Sequence, residues 1–391
     1  MASTAPGLAG VVLAAGYSSR MGAFKPLLPL PGGRVVERCL DGLAVAGIME
    51  VVVVTGHRAE EIEAALAGRA CRLVRNPDFD RGMFSSVRAG VDALSGAGAV
   101  MLWPVDVPLV RTATVAALVA AWAADARPGR VLVPAFRGRP GHPPIIGAGH
   151  FAGILNWSGE RGLRGYLDAA GGEERLAVAD EGVLLDLDTP QEYEAARRRL
   201  AEREARDLPT PGECLALYEL HAPAERLERL RAHAREVGRL ALRLGRALAA
   251  AGVAVDEPAL LAAALLHDVA KGRPEHWLRG AEIVAAAGFP ELAEAVARHG
   301  RLGTGAADAL TLCVYLADKC ALGAQRVALG ARFDAAARKY AGDAGALAGM
   351  AARRAEAEEA ARKFGELAGI DLETATDRPA EGEDGLLDGF A

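Results

Sequence analysis

Along residues 8–190 two patterns alternate. Short β-branched runs recur at Val11-Val12-Leu13, Val51 to Val54, Val100-Met101-Leu102 and Val131-Leu132-Val133. Helical stretches lie between them at Val35 to Val45, Ala59 to Leu66, Ser85 to Leu94 and Thr112 to Ala124. A near-continuous apolar run is what a strand buried on both faces needs, and intervening helices supply the covering layers. The pattern predicts an α/β, doubly wound parallel sheet. Ligands of such sheets bind at the carboxyl ends of the strands.

Near residue 205 the pattern changes. Residues 191–206 form a charged helix, and Asp207-Leu-Pro-Thr-Pro-Gly has linker composition. From Pro223 onward only helical periodicity remains, with Leu227, Leu230, Ala234, Val237, Ala241, Leu244 and Leu248 on one face of a long helix. Further helical segments cover about 257–270, 276–287, 290–299, 306–321 and 344–367. The expected organisation is an α/β domain over 1–205, a linker over 206–222, an all-α domain over 223–370 and a tail over 371–391. The tail carries seven acids and one Arg among Gly and Pro, which predicts disorder.

Composition narrows the function classes. A net charge of −6 argues against nucleic acid as a partner held by bulk charge, although a small anionic ligand needs only a local positive site. The longest apolar runs are near ten residues, so no membrane-spanning helix is expected. Five scattered cysteines without CxxC spacing suggest neither a disulfide framework nor a thiolate zinc site. The N-terminus lacks the basic start of a signal peptide, so a cytoplasmic location is expected.

The loop after the first strand is the first candidate site. From Leu13, Ala14, Ala15 and Gly16 it runs LAAGYSSRMGAFKPLLPL, neither GxGxxG nor GxxxxGK[ST]. Gly16 and Gly22 let backbone N–H groups approach an anion, and Arg20 and Lys25 add fixed charge suited to a triphosphate. The chain holds 40 arginines and only five lysines, so a Lys in this loop stands out. Two carboxylates follow apolar runs: Asp106 after AVMLWPV and Asp188 after VLLDL, with Asp186 the weaker candidate. A lone Asp at a strand end is more often a helix N-cap, a role that Pro190 at the first helical position would suit for Asp188. Brought together, two such carboxylates can hold Mg2+ against phosphate oxygens.

These residues resemble the signature of the MobA-like nucleotidyltransferases, LAAGxSxRMGxxKxLLP, in the form of the molybdenum-cofactor cytidylyltransferase branch. Four further blocks follow in the family's order: Asn76-Pro to Gly82-Met-Phe-Ser85-Ser86, Pro104-Val-Asp106-Val-Pro108, Gly138-Arg-Pro-Gly141-His142-Pro143, and Asp186-Leu-Asp188-Thr189-Pro190. Val107 stands where cytidylyltransferases often carry Gln or Met. The resemblance implies a Rossmann-like nucleotidyltransferase fold and attack of an acceptor phosphate on the α-phosphorus of an NTP, with CTP the nucleotide of this branch and a molybdopterin-type cofactor the acceptor. It places Leu13, Ala14, Ala15, Gly16, Arg20, Lys25, Asn76, Gly82, Ser86 and Asp106 around the nucleotide, with Arg20, Lys25 and Asp106 catalytic and Mg2+ on Asp106 and Asp188. His142 is either a turn residue or a contact to the acceptor.

Five of the eight histidines lie at or after residue 221. His233 sits three after Leu230 and four before Val237, His299 four after Ala295, Asp268 four after Ala264 and Asp318 four after Val314. Each polar residue therefore faces a bundle core. One buried His is usually just hydrogen-bonded, but several inward His and Asp residues invite a shared cation.

The set resembles the HD-domain metal-dependent phosphohydrolases. His233, the pair His267-Asp268 and Asp318 match the ligands, HDVAKG resembles HDIGK with Lys271 set to neutralise a substrate phosphate, His276 matches the HxxxGA block of the HDIG-like members, and His299 a later His of the binuclear ones. The resemblance implies an all-α HD domain hydrolysing a phosphate ester or anhydride, with Asp268 bridging metals or orienting water. His and Asp ligands accept Mn, Fe, Co, Ni or Zn. The expected protein is bifunctional: a nucleotidyltransferase and a phosphohydrolase. The alternative reading is transfer to another phosphorylated acceptor, with the HD domain a nucleotide sensor.

Overall fold

In the computed structural model of the chain, which describes residues 7–303, 307–339, 341–379 and 381–390, two compact units appear, Met1–Arg206 and Asp207–Ala391. Residues 1–6, the N-terminus without a basic start, lie outside the described residues.

The strands of unit 1 are β1 (Leu8–Leu13), a short hairpin β2 (Pro29–Leu30) and β3 (Gly33–Arg34), β4 (Val51–Thr55), β5 (Arg72–Arg75), β6 (Ala99–Pro104), β7 (Val131–Phe136), β8 (Arg139–Pro140), β9 (Ile145–Gly147) and β10 (Glu173–Val178). Its helices are α1 (Val35–Val45), α2 (Ala59–Ala65), α3 (Met83–Ala93), α4 (Thr112–Ala124), α5 (Phe151–Asn156), α6 (Gly162–Ala170) and α7 (Pro190–Ala205). The main sheet has the order β10-β7-β9-β6-β1-β4-β5, with β8 beside β7. It is doubly wound, as the pattern predicts, but β9 runs antiparallel between β6 and β7. Three residues are too few for β9 to leave a recognisable pattern.

All six residues of β1 are buried because both sheet faces are covered. Alternate side chains point to opposite faces. Val11 and Leu13 pack with Val54, Val87, Val91 and Leu102 on the α3 side. On the other side a Cβ at Gly10 would lie 2.8 Å from Leu43 of α1. A Cβ at Gly90 would lie 2.4 Å from Val11, so α3 reaches the sheet only as glycine there. Each fully buried Val or Leu contributes about 1.5–3 kcal/mol of transfer free energy.

Unit 2 comprises α8 (Pro211–His221), α9 (Leu227–Ala250), α10 (Glu257–Leu266), α11 (His276–Ala286), α12 (Ala293–Arg298), α13 (Ala309–Lys319), a hairpin β11 (Ala321–Leu322) and β12 (Gln325–Arg326), α14 (Leu329–Lys339), α15 (Ala344–Ala368), α16 (Leu372–Asp377) and α17 (Glu383–Leu386). The predicted start of α13 at residue 306 lies outside the described residues. Apart from the hairpin the described part is helical.

Two expectations are corrected here. Residues 206–222 are not merely a linker: Thr210 caps α8 through a reciprocal box with Glu213, and Pro211 starts the helix. The turn-like composition was a helix start. The tail is not disordered either over its described residues, 371–379 and 381–390. Leu387 and Phe390 are fully buried, and Glu383 and Asp384 pair with Arg243 and Arg239 of α9. The acidic composition that suggested solvation instead answers arginines. No helix among the described residues is long and apolar enough to cross a membrane.

Candidate active sites

The order of the sheet reverses at β1: the chain continues to β4 on one side and later returns to β6 on the other. Loops leaving such a pair diverge and open a crevice. A cavity of about 300 Å3 lies there, lined by Leu13, Ala15, Gly16, Arg20, Lys25, Gly82, Ser86, Asp106 and Asp188 among others. Ala14 and Asn76 are buried and do not line it. Asn76 lies behind the wall, its amide donating to Ser85 and Ser86 at 2.8 and 3.0 Å while its carbonyl accepts from the Asp78 N–H.

Lys25 is buried at the floor, its Nζ 3.0 Å from Asp188 Oδ1 and 3.5 Å from Asp106 Oδ2. Its backbone N–H donates to Ser18 Oγ, and Gly22 takes the left-handed φ of +68° the loop requires. Arg20 reaches Asp188 Oδ2 at 2.9 Å from the solvent side. Asp106 caps no helix, since α4 begins only at Thr112. Thr189, rather than Asp188, caps α7 by a reciprocal pair with Glu192, which frees Asp188 for the crevice. The Lys25 hydrogen bond holds the Asp188 carboxyl below its usual range, helped by Arg20. Asp186 is pushed up, by burial first and then by Asp106 and Asp188.

His142 lines an adjoining cavity of about 370 Å3 that shares Leu13, Met83 and Pro104 with the crevice. Burial lowers its pKa, and its Nδ1 is buried with no hydrogen-bond partner. Val107 is fully buried and lines neither cavity. Tyr17 and Phe79 also line the crevice, their ring centroids 5.2 Å apart, both at variable positions of the motif blocks.

In unit 2 the six His and Asp residues converge from five helices or their ends. His267 and Asp268 follow α10 directly, where the chain leaves the helix, so adjacent residues can turn to one centre. The Nδ1 atoms of His233, His267 and His299 lie 3.1, 2.7 and 2.6 Å from the carbonyls of Gly323, Ala264 and Val296. A ring nitrogen facing a carbonyl carries the proton, so each Nε2 presents a lone pair to the interior. Those lone pairs face carboxylates: His233 Nε2 lies 3.2 Å from Asp318 Oδ1, His267 Nε2 3.7 Å from the same oxygen and 3.6 Å from Asp268 Oδ2. His276 and His299 Nε2 each lie 3.3 Å from Asp268 Oδ1.

His267 Nε2 is buried without a hydrogen-bond partner, and burial pushes the ring down to about 3, so it stays neutral. Burial opposes ionisation of both carboxyls, but Lys271 beside Asp268 and Arg332 and Lys319 beside Asp318 favour it. The lone pair of the neutral His267 ring facing ionised carboxylates is repulsive unless a cation lies between them. The donors fall into two sets, His233, His267 and Asp318, and Asp268, His276 and His299, each close enough to hold one ion. The residues therefore fit a divalent metal centre. Lys271 sits at the rim with Nζ 3.1 Å from Asp268. Lys319, buried and bonded to Asp318 and the His299 carbonyl, and Arg332 of α14 were not anticipated as site residues.

Unit 1 is thus a nucleotide-type α/β unit with a cation set between carboxylates at the sheet's switch point. A family model described as MobA-like NTP transferase domain matches residues 10–176, and one described as HD domain matches residues 230–323. Among curated proteins, the molybdenum cofactor cytidylyltransferase of Escherichia coli (strain K12) is 27% identical over 193 residues, 49% of this chain and 96% of that protein. Purine catabolism protein PucB of Bacillus subtilis (strain 168) is 30% identical, across 50% of this chain and 98% of its own length. Nicotine blue oxidoreductase of Paenarthrobacter nicotinovorans is 34% identical, across 41% and 82%. The chain belongs to the MobA-like NTP transferase family and carries an HD domain after it.

Proposed function

We propose that unit 1 transfers the cytidylyl group of CTP to the phosphate of a molybdopterin-type cofactor. The observation that carries this reading is Lys25, buried between Asp106 and Asp188 at the floor of the β1–β6 crevice. The similarity to a molybdenum cofactor cytidylyltransferase supports the choice of nucleotide and acceptor. Asp106 and Asp188 would hold Mg2+, which supplies charge neutralisation for the triphosphate. Lys25 and Arg20 place fixed charge beside it. The acceptor phosphate oxygen bonds to the α-phosphorus as the α–β bridging bond breaks, and the electron pair leaves on pyrophosphate. The apolar cavity beside His142 suits a flat heterocyclic acceptor. Incubation of the full chain with CTP and molybdopterin should give the cytidine dinucleotide by mass spectrometry. Lys25→Ala should lower kcat/KM about 100-fold, or about 3 kcal/mol; an unchanged rate would remove Lys25 from the mechanism.

For unit 2 we propose phosphohydrolysis. His233, His267 and Asp318 would hold one divalent ion and His276, His299 and Asp268 a second, with Asp268 shared; the metal supplies Lewis acidity toward water and phosphate. Water's oxygen bonds to phosphorus, the bond to the leaving oxygen breaks with its pair on that oxygen, and a proton passes to it. Lys271 neutralises the substrate phosphate. Metal analysis with phosphate-release assays tests this: His267→Ala should lose both metal and hydrolysis, whereas losing metal while keeping every hydrolytic activity would favour a sensor.

A further inference from the structure

Two openings reach the His/Asp cluster of unit 2, and their chemistry differs. One, about 450 Å3, is lined by Arg226, Arg229, Leu230 and Gly323 and has no aromatic wall. The other, about 800 Å3, brings together Trp277, Phe333, Met350, Lys271, Arg301 and Arg353 beside His276 and His299. Its size lies within the range of small-molecule sites. We propose that this second cavity is the substrate pocket and that its substrate is a heteroaromatic phosphate with more than one negative charge, of the nucleoside diphosphate class; the proposal rests on the phosphohydrolase reading of the same site.

Three observations lead there. Trp277, the residue after the candidate ligand His276, is 36% exposed and keeps ring surface on the cavity wall, its centroid 5.2 Å from that of His276. A Cβ at Gly300 would lie 3.9 Å from the Trp277 ring, so the chain passes this indole without a side chain over it. A planar ring stacked there lies within reach of the cluster.

The second observation is charge. Among the described residues, Arg301 and Arg353 have no ion pair or hydrogen bond. Neighbouring arginines are otherwise engaged: Arg298 with Glu294 at 2.9 Å and Arg354 with Asp334 at 2.8 Å. Two unpaired guanidinium groups and Lys271 on one cavity suit phosphate oxygens. Third, Phe333, Met350 and Arg353 belong to α14 and α15, beyond residue 323 where the HD match ends. That wall lies outside the residues the HD model matches, which is where selectivity would be built.

The reaction is hydrolysis of the terminal phosphoryl group: water's oxygen bonds to that phosphorus, the anhydride P–O bond breaks with its electron pair on the departing nucleotide, and water's proton is released or taken up by that oxygen. Base stacking contributes about 1–3 kcal/mol, so Trp277 should change selectivity about tenfold or more.

The test measures phosphate release by the full chain with Mn2+, from CDP, GDP and glycerol 3-phosphate, counting only release lost in His267→Ala. That subtraction removes turnover by unit 1. The expected result is a kcat/KM for the nucleoside diphosphates at least tenfold above glycerol 3-phosphate. Trp277→Ala should collapse that ratio by about tenfold through KM, Trp277→Phe should restore most of it, and Arg301→Ala should raise KM for the diphosphates. Hydrolysis that depends on His267 but shows no preference, or a ratio unmoved in Trp277→Ala, would overturn the pocket assignment and leave phosphohydrolysis standing. Absence of any His267-dependent release from all three compounds would overturn both.

Discussion

Asp318 shows how an ionised carboxylate is kept in a bundle core. It is 4% exposed, with Lys319 on its Oδ2 and Arg332, His233 and His267 all facing its Oδ1. Removing one partner of a buried charge is costly because the charge that remains is uncompensated. Arg332→Ala should therefore weaken divalent-metal affinity about 10–100-fold, the range seen when groups supporting ligands are removed. Metal titration of the purified chain checks this; unchanged affinity would make Arg332 a surface residue only. His233, Asp268, His299 and Asp318 were legible because polar residues at three- and four-residue offsets from apolar positions must face inward, whereas His267 and His276 came only with the resemblance. Arg332 was not, since one Arg among 40 carries no signal. In unit 1, Lys25 was legible for the opposite reason, as one Lys among five. That Thr189 caps α7 and Asp188 turns to the crevice was not legible, because Asp and Thr are both good caps.

At the scale of elements, strands β1, β4, β6 and β7 showed in the sequence as β-branched runs buried on both faces. Strand β5 did not: it is partly exposed and begins and ends in Arg. Helix α8 escaped because Cys214 to Tyr218 are all buried, leaving no period to read. The C-terminal segment escaped because its few apolar residues are far apart. Phe390 is fully buried, with its ring centroid 6.0 Å from that of Tyr218. Phe390→Ala should destabilise unit 2 by about 3–5 kcal/mol; an unchanged denaturation midpoint would be the result of a free tail.

Helices α9 and α10 are tied by Arg246 and Glu257, with N–O distances of 2.5 and 3.0 Å. The Arg246 hydrogen bond holds the Glu257 carboxyl below its ordinary range. A folded-state pKa below the unfolded one gives stability that is present above the unfolded value, about 4.3, and is lost as pH falls through the folded value. Glu257→Gln should therefore unfold more easily than wild type at pH 7, by about 1 kcal/mol or less for so exposed a pair, with the gap closing on acidification below about pH 4. A gap that is constant in urea titrations at pH 7 and pH 3 would mean that the ion pair is not its source.

For the whole molecule, two candidate sites, a crevice in unit 1 and a His/Asp cluster in unit 2, lie in one chain and share no residue. In unit 1 the fold dictates where the chemistry sits, at the switch point of a sheet. In unit 2 no sheet does this work, and the site is made where helix ends converge. The first was readable from the strand–helix alternation and the loop composition; the second needed the histidines themselves.

The central claim is that the β1–β6 crevice performs cytidylyl transfer. The most direct measurement is pyrophosphate release with Mg2+ from CTP, GTP, ATP and UTP in turn, with and without molybdopterin cofactor, on wild type and Asp106→Ala. The predicted result is release from CTP alone, dependent on the cofactor and lost in the variant. Release from none of the four, or release indifferent to the cofactor, would contradict it.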